Sequence, residues 1–107
     1  MEVRLDHEDA ILPVRITHKS EQLWNGENLE QNYNYLVYEF ETEQHSYRAR
    51  SYLHDIQTVV VFGPFDKNAS TLMPLEGVQV DQRVLDYLRR RYRAIQRFGP
   101  EGCVPIE

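Results

Sequence analysis

The chain is poor in cysteine. Its 107 residues contain one, Cys103, so no disulfide can form within it. The fold must rest on a hydrophobic core, and a reducing compartment is the natural setting. A chain of this size buries roughly 60–70% of its unfolded surface, enough to fold without staples. No apolar stretch approaches the roughly 20 residues that a membrane span requires. The start, Met1-Glu2-Val3-Arg4-Leu5-Asp6, lacks the basic opening and apolar core of a secretory signal. These absences point to a cytoplasmic protein with no membrane partner. Asn68-Ala69-Ser70 matches a glycosylation pattern that has no consequence there.

Motifs that carry chemistry are missing too. Gly63-Pro64 has the wrong spacing for a phosphate-cradling loop. The four histidines show no zinc spacing. His45 and His54 are nine residues apart along one stretch, near 30 Å if that stretch is a straight strand. His7 has Glu8 and Asp9 beside it, but adjacent side chains point apart. His54-Asp55 lacks a nucleophile, because Ser51 falls on the opposite strand face and Cys103 lies in the tail. No cofactor, metal ligand or catalytic residue is predicted, and a small enzyme with no recognisable motif is the least favoured class.

What is present begins with two alternating arms, residues 35–42 and 46–53. Leu36, Tyr38 and Phe40 share one face of the first, and Val37, Glu39 and Glu41 the other. In the second, Tyr47, Ala49, Ser51 and Leu53 oppose Arg48, Arg50, Tyr52 and His54. A period of two is the strand signal. A four-residue loop, 42–45, sets Phe40 opposite Tyr47, Glu39 opposite Arg48, Tyr38 opposite Ala49 and Leu36 opposite Ser51. Apolar then meets apolar or small on one face and acid meets base on the other. A one-residue slip loses both matches. Thr58–Phe62 is a nearly continuous apolar run and reads as a third strand, ended by Gly63-Pro64.

Around these lie weaker signals. Residues 2–5 and 78–80 suit short strands. Residues 11–17 suit an edge strand, since Pro13 cannot donate to a ladder. Residues 20–32 are polar around the turn signal Asn25-Gly26. There Trp24 and Leu29 are expected to pin the segment to the body. Residues 65–77 read as a loop.

Residues 81–98 carry the helical period. Asp81 is an N-cap, Gly99 fits a left-handed C-terminal position, and Pro100 stops continuation. Val84, Leu85, Leu88, Tyr92 and Ile95 form one stripe, with Arg91 at its border. The predicted fold is therefore α+β: an antiparallel sheet of four or five strands with one long C-terminal helix packed across one face. It is a single domain over 1–107, with 100–107 a mobile tail or one folded back through Val104 and Ile106.

Two surfaces offer binding. Net charge is −5, but residues 81–98 hold six Arg against two Asp, while the remainder holds six Lys and Arg against fifteen Asp and Glu. Arg83, Arg89, Arg90, Arg93 and Arg97 line the far side of the predicted helix and suit anions, phosphate included. The bland alternative is a solvated face paired with nearby acids. On the sheet face away from the helix, Tyr35, Arg48, Arg50, Tyr52 and His54 interleave rings with cations. That pattern suits a protein partner or self-association as a homodimer. It also suits single-stranded nucleic acid, which Glu39 and Glu41 on the same face oppose. A non-catalytic binding or protein-interaction module leads. A nucleic-acid or polyanion binder through the helix arginines comes second.

Overall fold

The computed structural model of the chain describes residues 10–68, 74–75 and 77–106. Six strands form one sheet in sequence order: β1 (Arg15–Asn25), β2 (Asn28–Glu41), β3 (His45–Tyr52), β4 (Thr58–Asp66), β5 (Ala94–Gly99) and β6 (Gly102–Pro105). One helix, α1 (Gln82–Arg89), lies between β4 and β5. All neighbours are antiparallel except β4 and β5, which are parallel.

The central register is the one the alternation dictates. Phe40 pairs with Tyr47, Glu39 with Arg48, Tyr38 with Ala49 and Leu36 with Ser51. At the loop, the Thr42 backbone N–H donates to the His45 carbonyl at 2.8 Å, and the His45 N–H donates to the Thr42 hydroxyl at 3.0 Å. Tyr38, Phe40, Tyr47 and Ala49 enter the core with Val59 and Val61 of β4, Ile95 of β5, and Val84, Leu85 and Leu88 of α1. The helix therefore covers the sheet face that carries Tyr38 and Phe40. The Asp81 carboxylate caps α1 by accepting from the Arg83 N–H at 2.8 Å. The Asp81 N–H donates to the Tyr47 hydroxyl at 3.1 Å, which ties the helix start to β3.

The predicted long helix and the purely antiparallel sheet are both wrong. The helix stops at Arg89, and residues 94–99 are a strand parallel to β4. Backbone accounting explains the change. Val59 and Val61 are fully buried, so the second edge of β4 cannot leave its N–H and C=O groups without partners. β5 supplies them, beginning with the Arg93 and Ala94 N–H groups on the Gln57 carbonyl. Ile95 enters the core as a strand residue opposite Val59, where helical periodicity also placed it. A stripe at seven-residue spacing cannot separate these two outcomes. Gly99 ends β5 without a positive φ; across the β5–β6 turn, that conformation falls to Gly102.

Other boundaries move as well. β1 begins at Arg15 and runs to Asn25, so the segment around Trp24 is half of a β1–β2 hairpin. Its turn residue Gly26 has φ +64° while Glu27 does not, the signs of a type II′ turn. Trp24 and Leu29 pair with each other, and at 57% and 44% exposed they do not pin the segment to the body. β4 runs through Gly63-Pro64, whose peptide is cis, instead of ending there. Residues 78–80 form no strand, although Val80 packs against the core. Within the expected tail, Gly102–Pro105 form β6, and the Ile106 N–H donates to the Ile95 carbonyl at 2.8 Å. The expected strand at 2–5, the His7-Glu8-Asp9 cluster and much of the 65–77 loop lie outside the described residues.

Two substitutions check this packing. Leu88→Ala opens a cavity at a fully buried site and should cost on the order of 2–5 kcal/mol in urea unfolding. Gly63→Ala should cost about 1–3 kcal/mol, as for side chains held at positive φ. Gly63 has φ +123°, and a Cβ there would sit 3.1 Å from the Ser46 carbonyl oxygen and 3.3 Å from the Phe65 and Tyr47 rings. An unchanged midpoint in either variant would contradict the packing described.

Candidate binding face

Alternation along the strands sends one set of side chains to the core and the other to a face that no helix among the described residues covers. Register brings Arg15, Thr17 and Lys19 of β1 beside Glu39, Val37 and Tyr35 of β2. Arg48 and Arg50 of β3 follow, then Phe62 and Val60 of β4. A groove of about 390 Å³ opens here, with Arg15, Lys19, Arg48 and Arg50 around Val37 and Phe62. Glu39 also lines it and lies 3.5 Å from the Arg15 guanidinium.

Arg50 organises the floor. Its guanidinium carbon lies 4.5 Å from the centre of the Tyr35 ring and 5.5 Å from that of Phe62. Its Nη1 donates to the Tyr52 hydroxyl at 3.1 Å. Tyr35 is only 2% exposed, and its hydroxyl donates to Glu21. That hydrogen bond to Glu21, followed by burial, holds the Tyr35 phenol above its ordinary pKa range. The Phe62 ring packs against Phe98 at 5.2 Å. The aromatic surfaces are thus largely occupied from within, and the groove presents cations.

Of the predicted sheet-face residues, Tyr35, Arg48, Arg50 and Tyr52 come together. Tyr35 is a support beneath Arg50, not a contact surface. His54 lies beyond the end of β3, with its ring 5.7 Å from that of Tyr52. Arg15, Lys19, Phe62 and Phe98 were missed. The signal for the first two was the alternation Arg15-Thr17-Lys19, which continues the strand period past residue 17. Phe62 and Phe98 meet only because β4 and β5 pair.

The arginines assigned to one helix face are dispersed by the short helix. Arg83 and Arg89 lie in α1, Arg90 caps it, Arg93 follows it, and Arg97 lies in β5 beside Val61. Arg83 donates to Asp81 at 2.9 Å and to Glu43 at 2.9 Å. Arg89 lies 3.9 Å from Asp86. Arg91 sits over the Tyr87 ring at 3.9 Å. A second cleft of about 360 Å³ mixes Arg83, Arg90 and Arg91 with Asp86. A third, of about 620 Å³, is apolar and runs between Pro74, Leu75, Phe98, Val104 and Ile106.

Among the described residues, no group of three His, Cys, Asp or Glu side chains could hold a metal ion. Among the described residues, no helix is long and apolar enough to cross a membrane. Tyr38 donates to, or accepts from, the Tyr92 hydroxyl at 2.7 Å. Burial and then this bond raise the Tyr38 phenol above its ordinary range, which suits a structural pair beneath α1. Compared with family models, curated proteins and solved structures, the chain matches none.

The Arg83 pairs make a pH prediction. Hydrogen bonds from Arg83 are the largest cause holding the Asp81 and Glu43 carboxyls below their usual range. A carboxylate depressed in the folded state stabilises the fold above its unfolded pKa, and that stabilisation is lost as pH falls through the folded value. Arg83→Met should therefore unfold at lower urea than wild type at about pH 7, and the gap should close toward about pH 2. Equal gaps at both pH values would show that Arg83 acts through packing alone.

Proposed function

We propose that the protein is a non-catalytic interaction module that binds an acidic segment of a protein partner on its uncovered sheet face. The observation that carries this reading is the convergence of Arg15, Lys19, Arg48 and Arg50 on one groove, against the single carboxylate of Glu39 within it. Guanidinium forks pair with carboxylates in two-point geometry, and clustered cations steer an acidic partner toward the face. An extended segment suits the place, because β1 is the terminal strand of the sheet among the described residues. A peptide laid along its outer edge gains backbone hydrogen bonds beside the cations.

Protein is favoured over nucleic acid by the state of the rings. Base stacking needs open aromatic faces, whereas Tyr35 is buried and Arg50 lies over both Tyr35 and Phe62. A cytoplasmic location belongs to the same reading, and fractionation of cells making a tagged copy tests it.

The test is fluorescence anisotropy with a labelled Glu/Thr-alternating peptide, alongside a single-stranded oligonucleotide of equal charge. Peptide binding should be measurable near 0.05 M salt and weaken by about tenfold toward roughly 0.3 M, as screening shortens the reach of the groove cations. Lys19→Ala with Arg48→Ala should weaken it by about a further tenfold, because both side chains lie at the groove rim. No peptide binding at low salt by the monomeric protein rejects the proposal. Tighter binding of the oligonucleotide would put nucleic acid first.

A further inference from the structure

The β1–β2 hairpin outruns the sheet. β3 stops at Tyr52, opposite Tyr35, so residues 21–25 and 28–33 pair in the sheet only with each other. Residues 20–32 are all exposed, and the far end presents Leu23, Trp24 and Leu29, each about half exposed. A two-stranded ribbon alone is marginal in water, and an apolar tip in open solvent marks a contact surface. Residues 20–34 contain Glu21, Glu27 and Glu30 and no Lys, Arg or His. This arm is therefore acidic, opposite in sign to the groove formed by Arg15, Lys19, Arg48 and Arg50.

The arm cannot serve its own groove. Trp24 lies five residues beyond Lys19 and nine beyond Arg15 on the same strand, roughly 16 Å and 30 Å farther out at 3.3 Å per residue. The β1–β2 ladder is paired from Arg15 to Asn25, and its one irregularity, at Leu23/Trp24, lies too near the tip to fold the arm back. A second copy can receive it. The distal ribbon, about 20 Å long, spans the roughly 13 Å from Arg15 to Lys19 along the groove rim.

We infer that the arm of one copy docks along the cationic groove of a second copy, and that the exchange is reciprocal. Resting on the proposed sheet-face site, this names its occupant as the acidic hairpin of the same protein. Each copy has one arm and one groove, so a two-fold dimer satisfies both pairs and closes. One-sided docking would leave an arm and a groove open and would propagate into chains. Glu27 and Glu30 bring the carboxylates, and Trp24 with Leu29, paired across the ribbon, bring the apolar contact.

The experiment is sedimentation velocity over a concentration series, with circular dichroism to confirm folding of each variant. Wild type should dimerise, with a Kd that rises by about tenfold between roughly 0.05 M and 0.3 M salt as screening weakens the charge contact. Glu27→Lys with Glu30→Lys reverses the arm, and Lys19→Glu with Arg48→Glu reverses the groove. Each double variant alone should be monomeric, because both of its contacts repel. Mixed in equal amounts, the two should form a heterodimer, because the reversed arm then meets the reversed groove and the native arm meets the native groove, with opposite sign at both contacts. Wild type that stays monomeric at every concentration overturns the inference. So does a dimer indifferent to both reversals, or a mixture of folded variants that stays monomeric. If wild type is monomeric yet binds the acidic peptide, the dimer is rejected while the binding face stands; if it does neither, both are rejected.

Discussion

Tyr38 stands opposite Ala49 and Phe40 opposite Tyr47, and through this pairing every other element finds its side of the sheet. A shift of one residue would send both aromatic residues to solvent and draw Glu39 and Arg48 inward. The large residues of β2 leave room over the small Ala49, which lies wholly buried beneath the helix-side cluster. Tyr47 adds a direct link, since its hydroxyl receives the N–H that starts α1. Burial raises the pKa of that phenol above its ordinary range.

From that centre the sheet grows in two directions with different demands. Toward the C-terminus, β4 is buried and must be paired along both edges, which draws the chain out of α1 and into a parallel β5. β6 then closes the turn and returns Ile106 against the cluster. Toward the N-terminus, β1 has no such obligation. It ends the sheet, its residues are mostly exposed, and it continues with β2 past the point where β3 stops. The molecule reaches 66 Å along its longest axis against 29 and 25 Å across. A 14-residue β2 of roughly 46 Å accounts for much of that length.

The cationic groove is the reverse side of the core. The residues that alternate with Tyr38, Phe40 and Ala49 include Val37, Glu39, Arg48 and Arg50, and register sets Arg15 and Lys19 beside them. Arg50 stacks its guanidinium on Tyr35 while donating to Tyr52. That arrangement shields aromatic surface on an uncovered face and keeps a positive charge at the groove. Fold stability and the binding proposal therefore depend on the same strand order.

The residues alone determined the β2–β3 register, the Asp81 cap and the apolar face of residues 84–88. Each of these follows from local rules: a period of two, a carboxylate before a helical turn, and a stripe at 3.6 residues. Tyr35, Arg48, Arg50 and Tyr52 were legible as one face for the same reason. The length of α1 was not, because Leu88, Tyr92 and Ile95 satisfy a helical stripe equally well whether the last of them sits in helix or strand. Only the tertiary structure decided it, through the hydrogen-bonding groups along β4 that needed a neighbour. Arg15 and Lys19 joined the face, and Arg83 to Arg97 were scattered from theirs, by pairings distant in sequence. A side-chain period reports which way a residue points; which strand lies beside it depends on backbone groups that every residue shares.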